Sequence, residues 1–157
     1  MPFLKAADVI SGQEGTITFN VEGSVEVGAY VKTFEATLEK QKEEIRTLGH
    51  RGTQHKTTGW TGSGTMEMYY VTSLFREMAQ RYAKEGRDLY FNITVENNDP
   101  TSSIGRQTVV FYDCNVDSTI LAKLDVENTA LTEDTAFTFD DFQLLNSFSA
   151  PGLQANR

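Results

Sequence analysis

The residues with most capacity for chemistry lie in one stretch, 48–64 (LGHRGTQHKTTGWTGSG). It holds both histidines, His50 and His55, the lone tryptophan, Trp60, and five of the twelve glycines. Three chemistries can be weighed there. Residues 52–57 (GTQHKT) end like a phosphate-binding loop, but His55 stands where the second glycine must let backbone amides curl around the anion. The run Gly62-Ser63-Gly64 is not the G-x-S-x-G turn of a serine nucleophile. His50 and His55, five apart and without a third ligand at defined spacing, fix no metal geometry. Elsewhere, Glu133-Asp134 and Asp140-Asp141 lack the ligand spacing of a calcium loop and read as a solvated face. Asn92-Ile93-Thr94 matches a glycosylation acceptor but falls inside a strand pattern. The sequence therefore predicts no catalytic residues, no cofactor and no metal.

The elements around this stretch are mostly strands. Residues 16–21 alternate apolar and polar, 22–24 signal a turn, and a second strand starts at Val25, so a hairpin is predicted. Phe34, Ala36 and Leu38 then alternate with Thr33, Glu35, Thr37 and Glu39, which puts the two sets on opposite faces of a sheet. The charged run 40–45 is read as its extended continuation. Beyond the glycines, Thr65, Glu67, Tyr69 and Val71 alternate with Met66, Met68 and Tyr70. The period then lengthens: Leu74, Phe75, Met78, Ala79 and Tyr82 form one face of a helix, with Ser73 as N-cap, Lys84 suiting the dipole and Gly86 as left-handed stop. Met66 and Met68 are expected to pack on that face. Further strands are predicted near residues 89–96, 108–112, 116–126 (Ile120, Ala122, Leu124 and Val126 on one side) and 136–144, with a loop at 97–103.

Composition agrees with this. At 157 residues the chain reads as one domain, and ten phenylalanines, six tyrosines and only three prolines favour strands. The fold class expected is mainly β, an antiparallel sandwich or barrel of about seven or eight strands with one packed helix. No apolar run approaches the ~20 residues that span a bilayer, so no membrane insertion is expected. The start lacks the layout of a secretory signal, and Cys114 is alone, so synthesis and folding in a cytoplasm are expected. Net charge is −8. Residues 113–157 hold eight acids against Lys123 and Arg157, which argues against tight nucleic-acid binding.

What remains is assembly. A glycine-dense connection as long as 48–64 exceeds the usual ~4–6 residues, and it reads as a docking loop between subunits and rings. Gly49, His50, Arg51, His55, Lys56, Thr57 and Trp60 are its candidate contacts. Its glycines give reach, Trp60 would anchor in a neighbour's pocket, and Arg51 and Lys56 would meet the acidic surface of another copy. Residues 1–13 form a short apolar arm, read as an edge strand, as a segment packing on a neighbour or as a tail lying on its own domain, and 147–157 a loose tail. The strand faces carrying Thr33, Glu35, Thr37, Glu39, Glu67, Thr138 and Asp140 could be the water-facing side of a monomeric sandwich. The preferred reading is that they line the lumen of a ring closed between subunits, which leaves no sheet edge exposed. An acidic lumen would repel DNA phosphates and ease their passage.

An ordered set of segments supports the second reading. These are Val9-Ile10-Ser11-Gly12-Gln13-Glu14-Gly15, Lys32-Thr33-Phe34-Glu35-Ala36 and His55-Lys56-Thr57-Thr58-Gly59 followed by Gly62 and Gly64. Tyr70-Val71-Thr72-Ser73 then leads into the helix that Lys84-Glu85-Gly86 ends. Leu124-Asp125-Val126 and Phe137-Thr138-Phe139-Asp140-Asp141-Phe142 close the series. In this order and spacing the chain resembles the tail tube proteins of PBSX-type defective prophages, contractile-tailed phages and phage-tail-like bacteriocins over about residues 5–145. The resemblance implies the fold shared with type VI secretion tubes. It also implies homohexameric rings with a continuous inner barrel, stacked inside a sheath, and sheath, baseplate and tape-measure partners with transient DNA in the lumen. Residues 147–157 fall outside it. A type VI-like secretion tube and a monomeric ligand-binding barrel are the alternatives.

Overall fold

The computed structural model describes residues 4–149. After a short 3-10 turn at Ala6–Asp8, the strands are β1 (Gly15–Val21), β2 (Ser24–Val27), β3 (Val31–Ile45) and β4 (Gln54–Tyr69). The helix α1 (Leu74–Glu85) follows, and then β5 (Phe91–Asn98), β6 (Arg106–Val116), β7 (Thr132–Phe139) and β8 (Asp141–Asn146). All pairings are antiparallel, in the order β2-β1-β5-β6-β7-β4-β3, with β8 on β6. The sheet does not close into a barrel, and β3 is an edge.

β6 joins two halves. Along Thr108–Tyr112 it pairs with β8, and it pairs with β5 as well, whereas only Asn115 and Val116 reach β7. The handover follows a kink at Asp113, whose φ of 54° is a left-handed conformation that Asp tolerates better than most residues. Asn92 Oδ1 accepts the Asp113 N–H there at 3.2 Å. The alternating faces of both halves meet in one core of Ile17, Phe19, Met66, Met68, Phe75, Phe91, Ile93, Phe111, Cys114, Phe137 and Phe139. Its rings cross between elements: Phe111 meets Phe139 edge-on at 4.9 Å between centroids, and Phe19 meets Phe75 of α1 at 5.9 Å. The two methionines share this cluster with the helix face, as the sequence predicts.

Helix α1 starts and stops for different reasons. Gly86 ends it at φ 69°, its N–H donating to Tyr82 O at 2.9 Å. Ser73 makes no side-chain cap; Thr72 Oγ1 takes the Leu74 N–H instead at 3.3 Å. The helix is fixed to the sheet by Arg76, whose Nη1 lies 2.7 Å from the buried carboxylate of Glu133 on β7. Arg76 also donates to Thr72 O and stacks on the Tyr70 ring.

Four expectations change. Residues 48–64 are not a structureless loop: from Gln54 on they are β4, and the connection is confined to 46–53. Residues 117–126 are not a strand. After one bond along β7, Asp117 N–H to Ala136 O, the segment leaves the ladder. The last predicted strand is two, β7 and β8, split at Asp140. The N-terminal arm is a 3-10 turn rather than an edge strand, tied down where Ser103 Oγ donates to Asp8 Oδ1 at 2.6 Å. Residues 1–3 of that arm and 150–157 of the tail lie outside the described residues.

Candidate functional site

Two surfaces emerge, and β3 and β4 build both. The first is one face of the β3-β4-β7 half. Its cross-strand rows are Thr33–Glu67–Asp134, Glu35–Thr65–Ala136 and Thr37–Ser63–Thr138, with Glu39 opposite Thr61 beyond them. Successive residues in a strand point to opposite faces, so this polar set is the reverse of the face that sends Phe34, Met66 and Phe137 into the core. Thr33, Glu35, Thr37, Glu39, Glu67 and Thr138, dispersed in sequence, thus share a single surface. Asp140, one residue past β7, sits at its rim beside Trp60, Thr61 and Gly62 in a shallow concavity.

Glu35, Glu39, Glu67 and Asp134 give this face its charge. Lys32 is the cation beside it, placed by an irregularity in register between Val31 and Thr33. Its Nζ lies 3.4 Å from Glu67 Oε1 and 5.3 Å from the Tyr69 ring centre. Thr61 and Ser63 belong to the face but were not singled out from sequence. Carrying the alternation of Thr65 and Glu67 backward through the glycines would have found them.

The second surface is the far end of the same hairpin. β7 accompanies β4 only along Gly62–Tyr69, while β3 and β4 go on pairing with each other to Ile45 and Gln54. Beyond β7 the pair continues as a two-stranded ribbon. A register shift at Thr58, whose Oγ1 donates to Gln41 O at 3.2 Å, adds local twist. The ribbon ends in the tip 46–53, where Gly49 takes a φ of 83°. Residues 40–60 carry Lys40, Lys42, Arg46, Arg51 and Lys56 against Glu43 and Glu44, in a chain whose total is −8. The ribbon is therefore basic on an acidic body. Among the described residues, Arg46 is the one ribbon cation in an ion pair within 4 Å, with Glu44 at 3.9 Å, and both are open to solvent.

Of the predicted loop residues, Gly49, His50 and Arg51 are at the tip. His55, Lys56 and Thr57 are in β4, opposite Glu44, Glu43 and Lys42. Trp60 is in β4 too, opposite Lys40. Its ring packs within its own chain at the root of the ribbon, 6.1 Å from Phe139 and edge-on to Phe142 at 5.9 Å. It braces the ribbon against the body, with 38% of its surface open. Among the described residues no three His, Cys, Asp or Glu side chains group as metal ligands. Cys114 is buried, and that burial pushes its thiol up to about 12, far from a nucleophile's range.

Comparison with known proteins gives this geometry a family. The model of the family described as phage tail tube protein matches residues 2–146. The phage-like element PBSX protein XkdM of Bacillus subtilis (strain 168) is 43% identical over 146 residues, covering 93% of this chain and 97% of its own. A chain in the anti-feeding prophage baseplate structure superposes with a TM-score of 0.66 at 12% identity, over 90% of this chain and 97% of that one. A chain in the sheath–tube complex of the PVC extracellular contractile injection system gives 0.64 at 11%, over 89% and 95%. At such identities these two speak for the fold alone. The family is one of structural tube proteins rather than enzymes. With its mainly β fold, its polar sheet face and a family match spanning nearly its whole length, the chain belongs to the phage tail tube protein family.

Proposed function

We propose that this protein is the repeating subunit of a tail tube, in which six copies close into a ring and rings stack around a channel. The observation that carries the reading is the polar face of β3, β4 and β7 ending in the unpaired edge of β3. A fifteen-residue edge strand is a template for pairing with another chain. Repetition of one heterologous contact around an axis closes a ring and turns the polar face into a continuous wall. The acids on that wall repel phosphates and keep passing DNA from sticking. The basic ribbon reaches the acidic body of a neighbouring copy and links subunits or rings.

The reading extends to its surroundings. Made in a host cytoplasm, the subunit is built into a virion tail or tail-like particle, with sheath, baseplate and tape-measure proteins as partners. The sheath–tube and baseplate assemblies that hold its structural neighbours support the sheath and baseplate among these partners. Electron microscopy of the purified protein at high concentration tests the proposal. Rings or stacked tubes with an open centre are expected, and monomers alone would overturn it.

A further inference from the structure

The connection between β6 and β7, residues 117–131, has no regular structure, yet it is fastened at several points. Asp117 N–H donates to Ala136 O at 2.8 Å and Tyr70 N–H to Leu131 O at 2.9 Å. Arg76 Nη1 donates to Ile120 O at 3.3 Å, and Lys123 Nζ to Thr132 O at 2.7 Å. At its outer bend the Asp125 carboxylate takes the Glu127 N–H at 3.0 Å and Asn128 Nδ2 at 2.8 Å. Connections of this length in a compact domain are uncommon and usually functional.

What this fastening presents to solvent is specific. Leu121 is 69% exposed, Leu124 96% and Val126 100%. Single exposed apolar residues are ordinary, but several on one constrained segment mark an interaction site. The charge around them is acidic: Asp117, Asp125 and Glu127 are exposed, while Lys123, the segment's only cation, is drawn back to Thr132. The hairpin tip has the opposite composition. Leu48 is fully exposed there, between Arg46 and Arg51, and Lys56 follows in β4.

We infer that residues 117–131 of one copy are the receptor for the hairpin tip, 46–53, of a second copy. Leu48 would meet the exposed side chains of Leu121, Leu124 and Val126, while the arginines meet Asp117 and Glu127. The match of apolar centre and opposite charge selects this pairing. Tip against tip, or receptor against receptor, would set like charges together, which opposes wrong pairings. Because two different patches meet, the contact is heterologous and propagates from copy to copy instead of ending in a pair. This inference rests on the proposed role of the hairpin as a connector, and adds the surface that receives it.

A charge exchange tests it. One variant carries Arg46→Glu and Arg51→Glu, a second Asp117→Lys and Glu127→Lys, and a third all four changes; the turn-forming Asp125 stays. Far-ultraviolet circular dichroism checks each monomer, and sedimentation with electron microscopy measures tubes. Each double variant should lower the polymerised fraction about tenfold or more, and the quadruple variant should recover it to within about threefold, since close interfacial charge pairs couple by more than one decade in binding. Normal tubes from Asp117→Lys/Glu127→Lys, or no recovery in the quadruple variant, overturn the assigned receptor. Wild-type protein that forms no rings or tubes would instead strike the tail-tube reading itself.

Discussion

Gly64 and Phe137 are direct cross-strand partners, and the phenylalanine ring lies over the glycine where a side chain would otherwise stand. Gly62 and Phe139 repeat the arrangement two residues away. A Cβ at either glycine would run into the partner ring, and at Gly64 also into Glu35 O. Gly64→Ala and Gly62→Ala should therefore each destabilise the fold by ~1–3 kcal/mol through forced overpacking. Gly59, on the ribbon, faces only the end of the flexible Gln41 side chain at 3.3 Å. Gly59→Ala should be neutral or stabilising by ~0.5 kcal/mol, because alanine loses less chain entropy in a strand. Urea unfolding of the three variants measures the contrast, and equal effects would contradict it.

These glycine pairs also explain why half of the hairpin is hidden in the sequence. Glycine density reads as looseness because glycine is the usual turn residue. Here Gly62 and Gly64 make room for rings of a strand more than seventy positions away, and only the tertiary pairing reveals that purpose. The alternation of Thr65, Glu67 and Tyr69 was legible, as was that of Thr33 to Glu39. That these two runs and Thr138 share a face depends on register, which no local pattern encodes. The opposite error occurs at 117–126, where Ile120, Ala122, Leu124 and Val126 keep strand period. Periodicity describes a segment's two faces but not whether its backbone stays in the ladder: past Asp117 the chain leaves the edge of β7.

Arg76 and Glu133 form the buried ion pair that joins helix to sheet, with side chains 16% and 2% exposed. Removing one partner strands the other charge, so Arg76→Ala should cost ~3–5 kcal/mol. The Lys32–Glu67 pair is about one-third exposed on both sides, and Lys32→Ala should cost at most ~1 kcal/mol. Denaturation midpoints at constant m-value decide the comparison, and a similar loss for both would contradict it.

Asp99 fastens the N-terminal segment. Its Oδ1 accepts the Thr101 hydroxyl at 2.6 Å and the Thr101 N–H at 2.9 Å, and its Oδ2 accepts the Ser11 N–H at 2.8 Å. Led by the Thr101 hydroxyl, these donors hold the carboxyl below its ordinary value. A carboxylate depressed in the folded state stabilises above its unfolded pKa, and that contribution fades as pH falls through the folded value. Asp99→Asn should therefore be less stable than wild type at pH 7, and the gap should shrink below about pH 4, near the ordinary Asp pKa. Hydrogen exchange at the Ser11 amide should quicken at neutral pH, and a gap that widened in acid would reverse the assignment.

The acidic wall can be tested apart from the fold. Glu35 and Glu67 stand on the polar face of adjacent strands, in neighbouring rows. Glu35→Lys with Glu67→Lys should leave monomer stability within ~1 kcal/mol, since the one ion pair lost is surface-exposed. In a particle carrying DNA, these variant tubes should assemble but release DNA more slowly, as cations in a confined channel hold phosphates. Unchanged release kinetics would remove the argument from charge.

The ribbon offers the sharpest separation of fold from assembly. Gln41 and Gly59 are paired, while everything beyond them pairs only within the ribbon. Replacing residues 42–58 by Asn-Gly, which favours the tight turn of a two-residue hairpin, shortens the ribbon without disturbing Gly62, Gly64 or the Trp60 contacts to Phe139 and Phe142. The excised residues contribute nothing to the core, so the monomer should unfold within ~1 kcal/mol of wild type, with unchanged near-ultraviolet dichroism. Its assembly should fail, because the cations and Leu48 that reach a neighbour have gone. A shortened chain that still builds full-length tubes would show that the ribbon is dispensable and that ring faces alone hold the stack. One that fails to fold would show that Gly62–Tyr69 needs the ribbon to keep register with β7.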